Sequence, residues 1–147
     1  MDSEAIYQAL FDLLKNKVAG LKITSRRLRH FNHVPSEQRP AMFVVQGNQT
    51  QQAIKGLHAK IELDAEVYLY LFEEDPDKPV STKLNQYLDQ VREALKSPNP
   101  EICEYQTLGG LVEHCWIDGV IECFEAVENM LDNQAIAIIP VRILTTN

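Results

Sequence analysis

A chain of 147 residues, 45% hydrophobic and 24% charged, is long enough to bury one continuous core and too apolar to be disordered throughout. Its net charge of −7, from 14 basic and 21 acidic residues, argues against non-specific nucleic-acid binding, whose affinity comes from neutralising phosphates. No apolar run approaches the roughly 20 residues that cross a bilayer, and the acidic start Met1-Asp2-Ser3-Glu4 has neither the basic region nor the cleavage pattern of a signal peptide.

Asp2 or Ser3 can cap a first helix, in which Ile6, Ala9, Leu10, Leu13 and Leu14 recur at helical spacing before Gly20 stops it. The basic stretch from Ile23 to Val34 follows, with Arg26, Arg27 and Arg29 crowded together. It reads as an exposed strand or extended arm, because Pro35 and Pro40 exclude a helix after it. Ala41 to Gln46 is a short strand, Gly47-Asn48 a turn signal, and the polar run Asn48 to Gln52 a hairpin tip or a mobile loop that orders on a partner.

The clearest pattern runs from Lys60 to Leu71. Ile61, Leu63, Ala65, Val67, Leu69 and Leu71 alternate with Lys60, Glu62, Asp64, Glu66, Tyr68 and Tyr70. Alternation of this length predicts one long strand with one buried face. Its other face is charged at one end and aromatic at the other, which marks Tyr68 and Tyr70 as candidates for contact with another protein.

Glu73 to Pro79 is an acidic, proline-marked loop, and Ser81 is a plausible cap for a second helix with Leu84, Leu88, Val91 and Leu95 on one face. After Pro98-Asn99-Pro100 and Gly109-Gly110, the segments Leu111 to Ile117 and Val120 to Phe124 read as strands about a turn or bulge at Asp118-Gly119. Met130 to Gln134 is a loop, and Ala135 to Leu144 is the last strand, where Pro140 demands an edge position or a bulge. The order predicts one α+β domain over residues 1–147, with a mainly antiparallel four- to five-stranded sheet and both helices packed on one face.

No catalytic, cofactor or metal site is legible. The glycines form no phosphate-binding motif, and no G-x-S-x-G elbow is present. Cys103, Cys115 and Cys123 are an odd number without Cys-x-x-Cys spacing, so they read as reduced, largely buried thiols that pack as small hydrophobes rather than as disulfides or zinc ligands. His114 and Cys115 are adjacent and would point to opposite faces of a strand. The acidic loop at Glu73 lacks the glycine and the distal glutamate of a calcium loop.

Two groups of segments resemble one family. Ser25-Arg26-Arg27-Leu28 through Val34-Pro35, then Gln38-Arg39-Pro40-Ala41-Met42-Phe43, looks like the basic strand and the following "QPALF"-type strand of the small tail-completion, or tail-terminator, proteins of long-tailed phages. Thr107-Leu108-Gly109-Gly110-Leu111-Val112, Trp116-Ile117-Asp118-Gly119 and Ile138-Ile139-Pro140-Val141 with Ile143-Leu144 resemble the same group in the same order. Arg39 departs from the pattern, which has a neutral polar residue there. The resemblance implies a non-enzymatic virion protein: a ring subunit, typically of a hexamer, that caps the tail tube, ends its polymerisation and offers a surface to the head–tail connector. Its implied partners are further copies of itself, the tail tube protein and the connector, with DNA only in transit, no membrane and no cofactor. The implied location is the host cytoplasm during assembly and then the virion tail.

The charge distribution suits self-assembly. Residues 1–40 carry seven Lys/Arg against four Asp/Glu, a net of +3, and residues 41–147 carry seven against seventeen, a net of −10. A basic part of one copy can therefore meet an acidic part of the next. The candidate interface residues are Arg26, Arg27, Arg29, Asn48, Gln49, Gln51, Tyr68 and Tyr70. The same residues leave room for another phage assembly subunit, such as a connector or tube-like protein, and for a small monomeric binding module.

Overall fold

A computed structural model describes residues 1–126 and 130–147. It is an α+β structure in which two helices cover one face of a six-stranded sheet, with the strands in the order β1-β2-β3-β6-β4 and β5 also paired to β6. The sheet is antiparallel except where β1 runs parallel to β2. It has one strand more than the upper number expected, because the C-terminal third forms two short strands beside β6 and the basic stretch contributes a third.

Helix α1 spans Ser3–Lys17, and the Asp2 carboxylate caps it by accepting from the Ala5 amide at 3.1 Å. Helix α2 spans Val80–Ala94 and starts just before Ser81, with Pro79 in the cap position. Pro79 needs no N–H there and its fixed φ suits a helix start. Both helices lay their apolar stripes on the odd-numbered residues of β3 (Lys60–Phe72), so Ile6, Leu10 and Leu14 share a core with Leu63, Val67, Leu84 and Leu88. All six apolar residues of the alternating pattern in β3 are buried.

Strand β2 runs from Ala41 to Gln52 and overturns the expected turn at Gly47-Asn48. Gln46 pairs with Ala65 and Gln49 with Leu63, so Gly47 and Asn48 together oppose Asp64. Two residues against one is a β-bulge. The glycine is there for close approach: a Cβ on Gly47 would lie 3.0 Å from the Asp64 Cβ. The polar run Asn48–Gln52 is thus paired strand rather than loop, and the true hairpin tip is the segment 53–59.

The basic stretch is a strand only at β1 (Ile23–Ser25). Beyond it the chain folds over the helix-free face of the sheet in two single 3₁₀ turns, Phe31–His33 and Ser36–Gln38. The prolines prevented an α-helix but not these short turns. This overlay builds a second, smaller core from Val34, Ala41, Phe43, Tyr70 and Ile136.

Strands β4 (His114–Ile117) and β5 (Glu122–Glu125) do not form a hairpin with each other. They lie end to end along β6 (Gln134–Thr146), β4 against residues 141–144 and β5 against residues 135–138. Asp118-Gly119 is therefore a break in one interrupted edge rather than a turn. Pro140 sits in an interior strand opposite that break. Its carbonyl accepts from the Asp118 amide at 3.1 Å, so its absent N–H also points at the gap, where no ladder bond is lost.

Candidate functional site

The surfaces that could bind something are the two lateral edges of the sheet and its helix-free face. On one side, β1 covers β2 only at Ala41–Phe43, which leaves Val44–Gln52 as an open edge. Residues Gln46–Gln52 are exposed along their whole length, and the tip beyond them carries Ile54 and Leu57, the latter 73% exposed. Asn48, Gln49 and Gln51 thus stand together on one exposed strand.

On the other side, the β4 edge is partly covered, because the Cys115 amide donates outward to the Gln106 carbonyl at 2.9 Å. Strand β5 is an outer strand of the sheet, paired among the described residues with β6 alone. Next to β4, Tyr105, His114 and Trp116 form an aromatic ladder with ring centroids 4.4 and 4.5 Å apart. Ile102, Leu111 and Val120 are exposed on the loops around these strands. His114 lies on the helix-free side and Cys115 in the main core, where burial pushes its thiol pKa up to about 12. The sequence offered no warning of the ladder, since Tyr105 lies outside any strand and the stack depends on the loop that folds back beside β4.

The helix-free face is acidic below the overlay. Glu62, Asp64 and Glu66 from β3 stand there with Asp118 and Glu122, and Arg142 bridges Asp118 at 2.9 Å, Asp64 at 3.2 Å and Glu62 at 3.8 Å. The hydrogen bond that Arg142 donates to the Asp64 carboxylate holds its guanidinium more firmly protonated than usual. Among the described residues, no three His, Cys, Asp or Glu side chains are grouped to hold a metal ion, and no helix is long and apolar enough to cross a membrane.

The basic stretch is mostly consumed within its own chain. Arg26 pairs with Glu4 and also reaches Gln8 at 3.0 Å and Gln46 at 3.4 Å, which ties β1 to α1 and β2. Arg29 donates to the His33 carbonyl at 2.6 Å and to Gln38 at 3.3 Å. Of the three arginines only Arg27 is exposed without an ion pair among the described residues.

Tyr70 requires a correction: it is 3% exposed, packed against Phe43 beneath the overlay, and its hydroxyl donates to the Arg29 carbonyl at 2.6 Å. Burial raises its pKa, as it does for the half-buried Tyr68, whose hydroxyl donates to Glu66 at 3.2 Å. The alternation assigned both tyrosines to the correct face, but could not show that a distant segment covers one of them. Arg39, singled out only as a departure from a pattern, is 2% exposed. Its guanidinium donates to the Val34 carbonyl at 3.0 Å, to Phe31 at 2.6 Å and to Leu71 at 3.4 Å. Desolvation lowers its pKa, and three backbone acceptors take the place of a carboxylate.

No family model and no curated protein matches the chain. Among solved structures, it resembles a chain from the virion of a native gene transfer agent particle, with a TM-score of 0.57 at 11% identity, over 97% of this chain and 95% of that one. At that identity the likeness is one of fold.

Proposed function

We propose that this protein is a non-enzymatic structural subunit of a phage-type virion that closes into a ring at the end of the tail tube. In that role it terminates the tube and offers its free side to a head–tail connector. The fold shared with a virion chain supports the general class, and the sequence resemblance to tail-terminator proteins supports the particular role.

One observation carries the ring: among the described residues no strand pairs with Val44–Gln52 on one lateral edge or with the outer side of β5 on the other, and these unpaired stretches are offset. Val44–Gln52 lies level with residues 139–146 of β6, whereas β5 lies level with residues 135–138. Joining the β2 edge of one copy to the β5 edge of the next shifts neighbours by about six residues, about 20 Å at 3.3 Å per residue. Each copy is four strands wide, about 19 Å at 4.8 Å per strand, so a closed ring would tilt its strands by roughly 45°, at the steep end of the range that closed barrels use. Closure also removes both exposed edges. A join of two different patches closes a ring, whereas a two-fold dimer uses one patch twice.

With the helices outside, the helix-free face lines the channel, and its acidic part beside the overlay repels phosphate, which lets DNA pass without being held there. In this arrangement Asn48, Gln49 and Gln51 lie at the joint, Tyr68 lies near it on the channel side, and Arg27 is free to meet an acidic surface. Arg26 and Arg29 act by shaping their own subunit.

Sedimentation and negative-stain imaging of purified protein test the proposal. A closed ring that blocks further growth of tube protein is the expected result. A protein that stays monomeric at high concentration and leaves tube growth unchanged would sink it.

A further inference from the structure

We infer that the tip of the β2–β3 hairpin seats its two apolar side chains, Ile54 and Leu57, on the aromatic ladder Tyr105–His114–Trp116 of an adjacent copy. This rests on the ring reading and adds the contact that holds the ring together. Nine large apolar side chains are exposed among the described residues, and six of them fall in two groups: Ile54 and Leu57 on the tip of the β2–β3 hairpin, and Ile102, Tyr105, Leu111 and Val120 on the loops before and between β4 and β5. Exposed apolar area concentrated on two separate patches is what a heterologous joint between copies needs, because buried apolar and aromatic contacts carry affinity while exposed ion pairs contribute little.

The offset between the open edges brings the two patches together. In its own copy Gln52 is level with Thr146, through Lys60. A shift of about six residues, the offset that the edge pairing sets, makes it level with Pro140 of the neighbour. The tip extends beyond Gln52 and so arrives level with residues 141–144, where β4 lies. There the outward side of β4 is occupied by the segment around Gln106, which cannot accept another strand but presents Tyr105. Strand pairing therefore gives way to side-chain packing at this level. Tyr and Trp are the residues that dominate such contacts, and stacked rings offer a rigid platform with little entropy left to lose.

The test uses the full chain with Cys103 and Cys123 changed to serine, leaving only the buried Cys115. Two proteins, one carrying Leu57→Cys and the other Leu111→Cys, are mixed and treated with a short bismaleimide. The expected product is the mixed dimer, with little of either homodimer. In parallel, Leu57→Asp should raise the concentration needed for assembly by tenfold or more, while Leu131→Asp, an exposed apolar position away from both patches, should leave it unchanged. A wild-type ring that survives Leu57→Asp and gives no mixed dimer overturns the docking and leaves the ring standing. A wild-type protein that never self-associates overturns both. If Leu57→Asp leaves the ring intact but abolishes binding to tube protein, the tip belongs to that partner and the docking is wrong.

Discussion

The Arg39 guanidinium lies over the Tyr70 ring, 5.5 Å from its centroid, and the two side chains lock the overlay onto the sheet from opposite directions. Arg39 ties the carbonyls of Phe31 and Val34 to that of Leu71 on β3, while the Tyr70 hydroxyl reaches out of the sheet to the Arg29 carbonyl. Arg39→Met removes five donors and strands buried acceptors, so it should cost about 2–4 kcal/mol of stability. Arg39→Lys should recover only part of this, because an ammonium cannot span three carbonyls as a planar fork does. Tyr70→Phe loses one hydrogen bond and keeps the ring, and should cost about 1 kcal/mol. Urea denaturation of the three variants ranks them; equal losses for Met and Phe would mean that packing alone holds the overlay.

The two faces of β3 should respond differently to charge. Val67 is buried under the helices, and Val67→Asp places an unpaired carboxylate in the core at a cost of several kcal/mol. Glu62 is half-buried on the helix-free face, 3.5 Å from Lys60 and 3.8 Å from Arg142. Glu62→Gln should cost no more than about 1 kcal/mol, because such pairs are solvent-screened. Thermal melts of the two variants check the assignment of faces.

What could be read from the sequence depended on how local its cause was. The buried face of β3, both helices and the acidic loop follow from periodicity, the Asp2 cap and proline chemistry within a few residues, and the structure reproduces them, except that the second helix is capped at Pro79 and takes Ser81 into its first turn. The polar run Asn48–Gln52 looked like a loop because strand pairing depends on the partner backbone rather than on apolar side chains, and Asp64 accommodates the bulge from a distant position. The burial of Tyr70 and Arg39 arises from the overlay, a contact between segments some thirty to forty residues apart in sequence, as in the Tyr70–Arg29 hydrogen bond. The edge offset that supports the ring follows from the pairing of β5 and β2 with different parts of the same sheet, which no single segment encodes.

Cys115 should make the protein sensitive to alkali. Its pKa is pushed by burial from 9.0 to about 12, so the folded state holds the thiol proton where the unfolded chain releases it. A raised folded pKa gives stability that is fully present below pH 9 and is lost as pH rises toward 12, at up to about 1.4 kcal/mol per pH unit. Cys115→Ala should therefore flatten the fall in stability between pH 9 and 10.5 while costing some packing at neutral pH. The sequence suggests burial for all three cysteines, but only Cys115 packs in the core, so in the native protein the exposed Cys103 and Cys123 should react quickly with a thiol reagent and Cys115 only on unfolding. A stability profile of the same slope in both proteins would remove Cys115 as the cause.

The open edge of β2 makes the most direct prediction for assembly. Between Val44 and Gln52 one side of the strand pairs with β3 and the other meets no strand among the described residues. In an antiparallel ladder, successive residues turn their N–H and C=O groups alternately toward the two sides. Amide exchange along this stretch in the isolated subunit should therefore alternate, slow where the N–H points to β3 and fast where it points outward, with the pattern interrupted at the Gly47 bulge. A free loop would instead exchange fast throughout. When the ring forms, the outward amides should slow while the inward ones change little, because the new partner supplies acceptors only on the open side. Gly47→Ala places a methyl group 3.0 Å from the Asp64 Cβ, so it should disturb the bulge and blur the alternation, with a modest loss of stability. Residue-resolved exchange on subunit and assembled ring decides the matter. Uniformly fast amides in the subunit would undo the strand assignment, and outward amides that stay fast in the ring would place the joint elsewhere on the molecule.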